Sequence, residues 1–227
     1  MNSIEALHPG PTSAEVIESI FSMHFKSRPG HYDYLRILDM TAGKLVFWNW
    51  DYRKEYPWCE MWFNDKYIPA LPDSSLDHSD KVHYDQHDFT NLPYPDHYFD
   101  IAVFDPPHTA HGPSTDSVRY GSSRNLAGAP QNIHEVQDLL ARGIEEATRV
   151  AQLGVIIKTM DVIESGFYQA SVFLACGMLS ESKFKCIDQV YFLPSRRPQP
   201  DEARGATVKH FRNRPSIFIV GKPRNAI

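Results

Sequence analysis

The run Phe99-Asp-Ile-Ala-Val-Phe104 is the clearest strand signal in the chain: short, apolar and partly β-branched, it leads straight into Asp105-Pro106-Pro107-His108. The two prolines lack the amide N–H that a sheet ladder needs, so the strand has to end before them and Asp105 is expected at its carboxyl edge. Beyond it, residues 109–132 are rich in Gly, Ser, Pro and Asn and show no periodicity. That is the composition of a long loop of the type kept for substrate contact. A helix is then predicted over Ile133–Ala151, where Val136, Leu139, Leu140, Ile144, Ala147 and Val150 recur at helical spacing.

Other strands follow the same rule of ending on polar groups. Tyr34–Asp39 finishes on a carboxylate before the small residues Thr41, Ala42 and Gly43, Cys59–Asn64 finishes at Asn64-Asp65, and Lys81–Asp85 leads to His87-Asp88-Phe89. Gly154–Lys158, Phe184–Leu193 and Ser216–Val220 read as further strands, Tyr168–Ala175 as a helix closed by Gly177, and Pro194–Gly205 as a polar loop. Strands alternating with helices or loops predict an α/β fold whose sheet is mainly parallel. In such a sheet ligands bind outside the carboxyl ends of the strands, where these acids collect.

With 227 residues, 42% of them hydrophobic, the chain can bury one substantial core. A single domain over 1–227 is expected, with a core at 34–160 that carries the strand-end acids, a loop of the substrate-contact type at 109–132 and a basic C-terminal part at 183–227. No stretch approaches the roughly 18 apolar residues of a membrane span, and Met1–Pro11 has no basic region followed by an apolar one, so a cytoplasmic protein without a membrane partner is expected. Three cysteines without a Cys-x-x-Cys spacing suggest reduced thiols, and His78, His83, His87, His108 and His111 lack the paired spacing of a metal site, so no metal is expected. The net charge of −5 argues against a polyanionic partner, but from Lys183 onward the basic residues far outnumber Asp188, Asp201 and Glu202. A local excess of that kind can meet phosphates, or can be a solvated tail.

Taken in order, Ile37-Leu-Asp-Met-Thr-Ala-Gly43, Asp88-Phe-Thr-Asn-Leu-Pro-Tyr-Pro-Asp96 and Phe99-Asp-Ile-Ala-Val-Phe-Asp-Pro-Pro-His108 resemble the motif set of class I S-adenosylmethionine-dependent methyltransferases, in the branch that methylates amino groups of DNA bases. The resemblance implies a Rossmann-like sandwich with a mainly parallel central sheet and an antiparallel last strand. It implies S-adenosylmethionine as cofactor, with Asp39, Thr41, Ala42 and Gly43 forming the cofactor turn, Asp65 taking the ribose, and Asp88 with Phe89 holding the adenine ring. Asp105, Pro106, Pro107 and His108 would be the catalytic loop, in which the Asp105 carboxylate and the Pro106 carbonyl accept the two hydrogens of the amine and aim its lone pair at the sulfonium methyl. His108 stands where the family has an aromatic residue that stacks on the base, and its ring offers a smaller π-face.

DNA is the implied partner, with adenine N6 as acceptor; RNA is the alternative substrate. Arg119, Tyr120 and Arg124 in the first loop, and Arg196, Arg197, Arg212 and Arg214 in the second, are the candidates for phosphate or base contact. The chain departs from the family pattern in offering a single glycine in the cofactor turn, followed by Lys44-Leu-Val-Phe-Trp48. Phe47 or Trp48 would then close over the cofactor or simply pack the core, and a catalytically silent binding module with the same fold is the other reading of this departure.

Overall fold

A computed structural model describes residues 12–25, 35–43, 45–48, 56, 59–66, 81–110, 130–164, 167–192 and 216–226. The N-terminal helix α1, Ser13–Ile20, starts at a capping box in which Thr12 and Glu15 satisfy each other's backbone amides, and it continues into a π-helical turn, Phe21–Phe25. Its buried side, Val16, Ile17, Ile20 and Phe21, packs on one face of the central sheet.

Seven strands build that sheet: β1 Leu35–Asp39, β2 Cys59–Asn64, β3 Val82–Asp85, β4 Phe99–Phe104, β5 Ala151–Thr159, β8 Phe184–Phe192 and β9 Ser216–Pro223. Their order is β3-β2-β1-β4-β5-β9-β8. The first five pair in parallel, and β9, the last strand of the chain, runs antiparallel between β5 and β8. Every residue of β4 is buried, as expected of a central strand covered on both faces. Ile101 and Val103 face the α1 side, whereas Phe99, Ala102 and Phe104 face α2, Ile133–Val150, and α3, Ser171–Glu181.

The expected strands and the long helix lie within a few residues of their places. The region after β5 differs. Tyr168 belongs to a two-stranded hairpin, β6 Val162–Glu164 and β7 Phe167–Gln169, and the helix expected at Tyr168–Ala175 runs over Ser171–Glu181 instead. Asp161 explains the shift: its Oδ1 accepts the Val172 amide at 2.9 Å, supplying the helix start with an acceptor from outside the helix. Gly177 lies within this helix on an open face, where a Cβ would meet nothing within 4 Å, so it does not end it.

Gly143 is different. A Cβ there would fall 2.0 Å from Cζ of the fully buried Phe104, the residue that precedes Asp105. Close approach of α2 to β4 thus depends on a missing side chain. Gly143→Ala is expected to overpack this contact, costing about 1–3 kcal/mol and lowering Tm by roughly 2–12 °C in a calorimetric scan.

Candidate active site

Strands β1 and β4 are neighbours, but the chain leaves β1 toward β2 on one side and β4 toward β5 on the other, so their carboxyl ends open at the topological switch point of the sheet. The turn after β1 is held from three directions. Met40 N donates to Val103 O at 2.9 Å, Ala42 N donates to Asn64 O at 2.9 Å, and Gly43 N donates to the Asp65 carboxylate at 3.0 Å. Gly43 adopts φ +50°, the left-handed region where L side chains are strained. Leu45 sits there too, at φ 57°. The second left-handed position, which a glycine would fill without strain, is therefore carried by a leucine. No helix spans the described part of the connection from β1 to β2.

Asp39 is 1% exposed and accepts from Thr41 N at 3.0 Å and from the Trp48 indole Nε1 at 2.7 Å. Burial pushes its carboxyl up to about 7, with the charges of Asp105 and Asp65 adding to the rise, against the opposing pull of the Trp48 and Thr41 donors. Trp48 and Phe47 are buried; Trp48 packs edge-on against Phe21 and Phe63, and Phe47 against Phe218. The core reading of these aromatics holds, and the indole adds a contact to Asp39 that no local pattern announces.

Asn64, fully buried, is a positioning residue that sequence reasoning missed. Its amide donates to Met40 O and His87 O and its oxygen accepts from His87 N, so one side chain ties the β1 turn, the end of β2 and the segment after β3 together. Asp88 accepts from Thr90 N and Thr90 Oγ1 and pairs with Lys66 at 2.8 Å; burial alone would raise its carboxyl, but these donors bring it down to about 2. Phe89 lies 5.1 Å from Phe104, ring to ring.

At the end of β4, the Asp105 amide donates to Thr41 Oγ1 at 2.8 Å, which joins the Asp-Pro-Pro-His loop to the turn after β1 by one hydrogen bond. The Asp105 carboxylate is held at both oxygens: His108 Nε2 lies 2.9 Å from Oδ1 and Lys158 Nζ 2.9 Å from Oδ2. Burial would raise this carboxyl, yet His108 and Lys158 keep it below the usual carboxylate range. Lys158, near the end of β5, had no role assigned from sequence, since nothing in its neighbourhood along the chain points to a partner 53 residues away. His108 Nδ1 is buried without a hydrogen-bond partner among the described residues.

Thr41→Val would strip the Asp105 amide of its acceptor while preserving shape. We expect kcat to fall by about tenfold and stability by about 1–3 kcal/mol, the cost of an unpaired buried donor, measured by steady-state kinetics and denaturant titration.

The basic candidates Arg119, Tyr120, Arg124, Arg196, Arg197, Arg212 and Arg214 lie outside the described residues. Among the described residues no group of three or more His, Cys, Asp or Glu side chains is placed to hold a metal ion, and no helix is long and apolar enough to cross a membrane.

No protein-family model matches the chain, and no curated protein matches it. Solved structures do match. The cyclase SpnF is 12% identical, with 96% of this chain and 88% of that one covered at a TM-score of 0.56. The PH0226 protein of Pyrococcus horikoshii is 13% identical, over 92% and 89% at 0.52. TrmN of Thermus thermophilus is 13% identical over 92% of this chain and 48% of that one at 0.50. At such identities the likeness is one of fold, and since a cyclase shares it, activity has to be argued from the site. In fold, this chain is a Rossmann-like α/β sandwich with a mainly parallel sheet and an antiparallel last strand.

Proposed function

We propose that this chain is an S-adenosylmethionine-dependent methyltransferase acting on an exocyclic base amine in DNA, with adenine N6 as the acceptor. The observation that carries the reading is the hydrogen bond from the Asp105 amide to Thr41 Oγ1, which sets the Asp-Pro-Pro-His loop against the turn that would hold the cofactor. The choice of DNA and of adenine follows the motif resemblance.

The residues present fit the cofactor. Asp39, Asp65 and Asp105 gather close enough that each of the other two charges pushes the buried Asp39 carboxyl up, and a cationic ligand would relieve such a gathering of acids. S-adenosylmethionine supplies an electrophilic methyl on a positively charged sulfur. Asp39, Thr41, Ala42 and Gly43 would hold its amino-acid end, Asp65 its ribose, and Asp88 with Phe89 its adenine ring.

An exocyclic amine is a poor nucleophile because its lone pair is delocalised into the base. Asp105 and the Pro106 carbonyl each accept one amine hydrogen, which localises that lone pair and aims it. A carboxylate oxygen has two acceptor positions, so Asp105 still has room for the amine after Lys158 and His108 have taken one each. The prolines fix φ and keep the Pro106 carbonyl directed outward. Arg119, Tyr120, Arg124, Arg196, Arg197, Arg212 and Arg214 would contact phosphates or base edges.

Calorimetric titration with S-adenosylmethionine, followed by tritiated methyl transfer to unmethylated genomic DNA and to total RNA, tests the reading. Binding with label in DNA is expected. Label in RNA alone would move the substrate to RNA, and no binding at millimolar cofactor would replace the enzyme by a binding module.

A further inference from the structure

We propose that Lys158 and His108 are positioning residues that clamp the Asp105 carboxylate from both sides, so that His108 acts as a strut for this acceptor and not as a stacking surface for the base. The inference rests on the methyltransferase reading for its chemistry and on the free protein for its geometry. Two donors from different elements, Lys158 from β5 and His108 from the loop itself, reach one oxygen each at 2.9 Å. A third restraint is the Asp105 amide on Thr41. Together they fix the backbone, the side-chain torsions and the plane of the carboxylate.

Lys158 is itself held. Its side chain is 14% exposed, and its ammonium lies 5.2 Å from the centroid of Phe47 and 5.9 Å from that of Phe218. Two aromatic faces and a carboxylate leave the cation little freedom to swing to water. His108 is 18% exposed, and its Nδ1 is buried and unpartnered among the described residues. Among the described residues the ring is thus held by hydrogen bonding at Nε2, and that bond sets its plane by the carboxylate. A phenylalanine at this position would remove one of the two donors.

The clamp has a chemical consequence. The charged and titratable groups around Asp105 are His108 on its own loop, Lys158 from β5, and Asp39 at the end of β1 with Asp65 beyond it. The two donors outweigh burial and keep Asp105 ionised, so it offers its remaining lone pairs to an amine hydrogen in a fixed direction. A carboxylate so stabilised is a poor proton acceptor. It orients the amine, and the proton leaves to water after the methyl has transferred.

The test begins in the cofactor-free protein, where a carbon-13 NMR titration follows the Asp105 carboxyl in wild type, Lys158→Met and His108→Phe. Each substitution is expected to raise its midpoint by on the order of one pH unit. No change in either variant would overturn the clamp, whatever the substrate. In turnover assays, Lys158→Met should lower kcat by roughly tenfold to a hundredfold with the cofactor Kd unchanged, and move the acid limb of the pH profile upward, while Lys158→Arg restores most of the rate. His108→Phe separates strut from stacking surface, since it keeps a π-face and removes the donor: loss of turnover fits the clamp, and turnover equal to or above wild type would sink it. A wild-type protein that binds no S-adenosylmethionine would defeat the methyltransferase reading and leave the carboxyl titration to decide the clamp alone.

Discussion

Asp105→Ala is expected to abolish methyl transfer, a loss on the order of a thousandfold or more in kcat, while the Kd for S-adenosylmethionine stays within about threefold of wild type. The separation follows from how Asp105 is attached. Among the described residues its hydrogen bond to the turn after β1 is made by the backbone amide, to Thr41 Oγ1, and alanine keeps that amide. The carboxylate points to Lys158 and His108. Its removal strands a largely buried lysine, so Asp105→Ala should also lose up to about 3 kcal/mol of stability. Asp105→Asn is the better-behaved partner: it keeps the shape but turns an NH2 toward one of the two donors, and it should lose nearly as much rate with a smaller loss of stability. Equilibrium binding, single-turnover kinetics and denaturant titration on the two variants check this. Transfer near the wild-type rate in either one would remove Asp105 from the mechanism.

What could be seen in the sequence was set by local rules. Strand β4 ends at Phe104 because two prolines follow within three residues, and α2 spans Ile133–Val150 because its apolar face repeats at helical spacing. The acids at strand ends were legible for the same reason, since a strand leaving a buried sheet has to stop on groups that tolerate the edge. The contacts that assemble the site are different in kind. Asn64 to His87, Thr41 to Asp105 and Lys158 to Asp105 join residues 23, 64 and 53 positions apart, and no periodicity encodes such distances. The helix expected at Tyr168 was misplaced by the same blindness, because its start is set by Asp161 from outside the helix. The turn shows a milder version: one glycine is visible in the sequence, whereas the left-handed φ of Leu45 and the hydrogen bond from Trp48 to Asp39 are not.

The burial of Asp39 at the head of this turn is expected to make binding of S-adenosylmethionine dependent on pH. In the free protein Asp39 is 1% exposed and its carboxyl is pushed up to about 7, above its ordinary value of 3.8. A group raised in this way favours the folded state most at low pH: the stability it contributes is fully present below 3.8, falls as pH rises, and is gone above about 7. The loss is on the order of 4 kcal/mol. A ligand that brings positive charge to this turn favours the ionised form, so binding expels the proton that Asp39 holds at neutral pH. Affinity for S-adenosylmethionine should therefore tighten as pH rises, by about tenfold between pH 6 and pH 8, and level off above the free carboxyl's midpoint. At pH 7 about half a proton should be released per cofactor bound, visible as a difference between binding enthalpies in phosphate and in Tris. Asp39→Asn should bind more weakly and without the pH slope. A wild-type Kd that is flat from pH 6 to pH 8, with equal enthalpies in the two buffers, would mean that the cofactor's charge does not reach Asp39 and that the Trp48 indole, by holding Oδ2, keeps this carboxyl as part of the core.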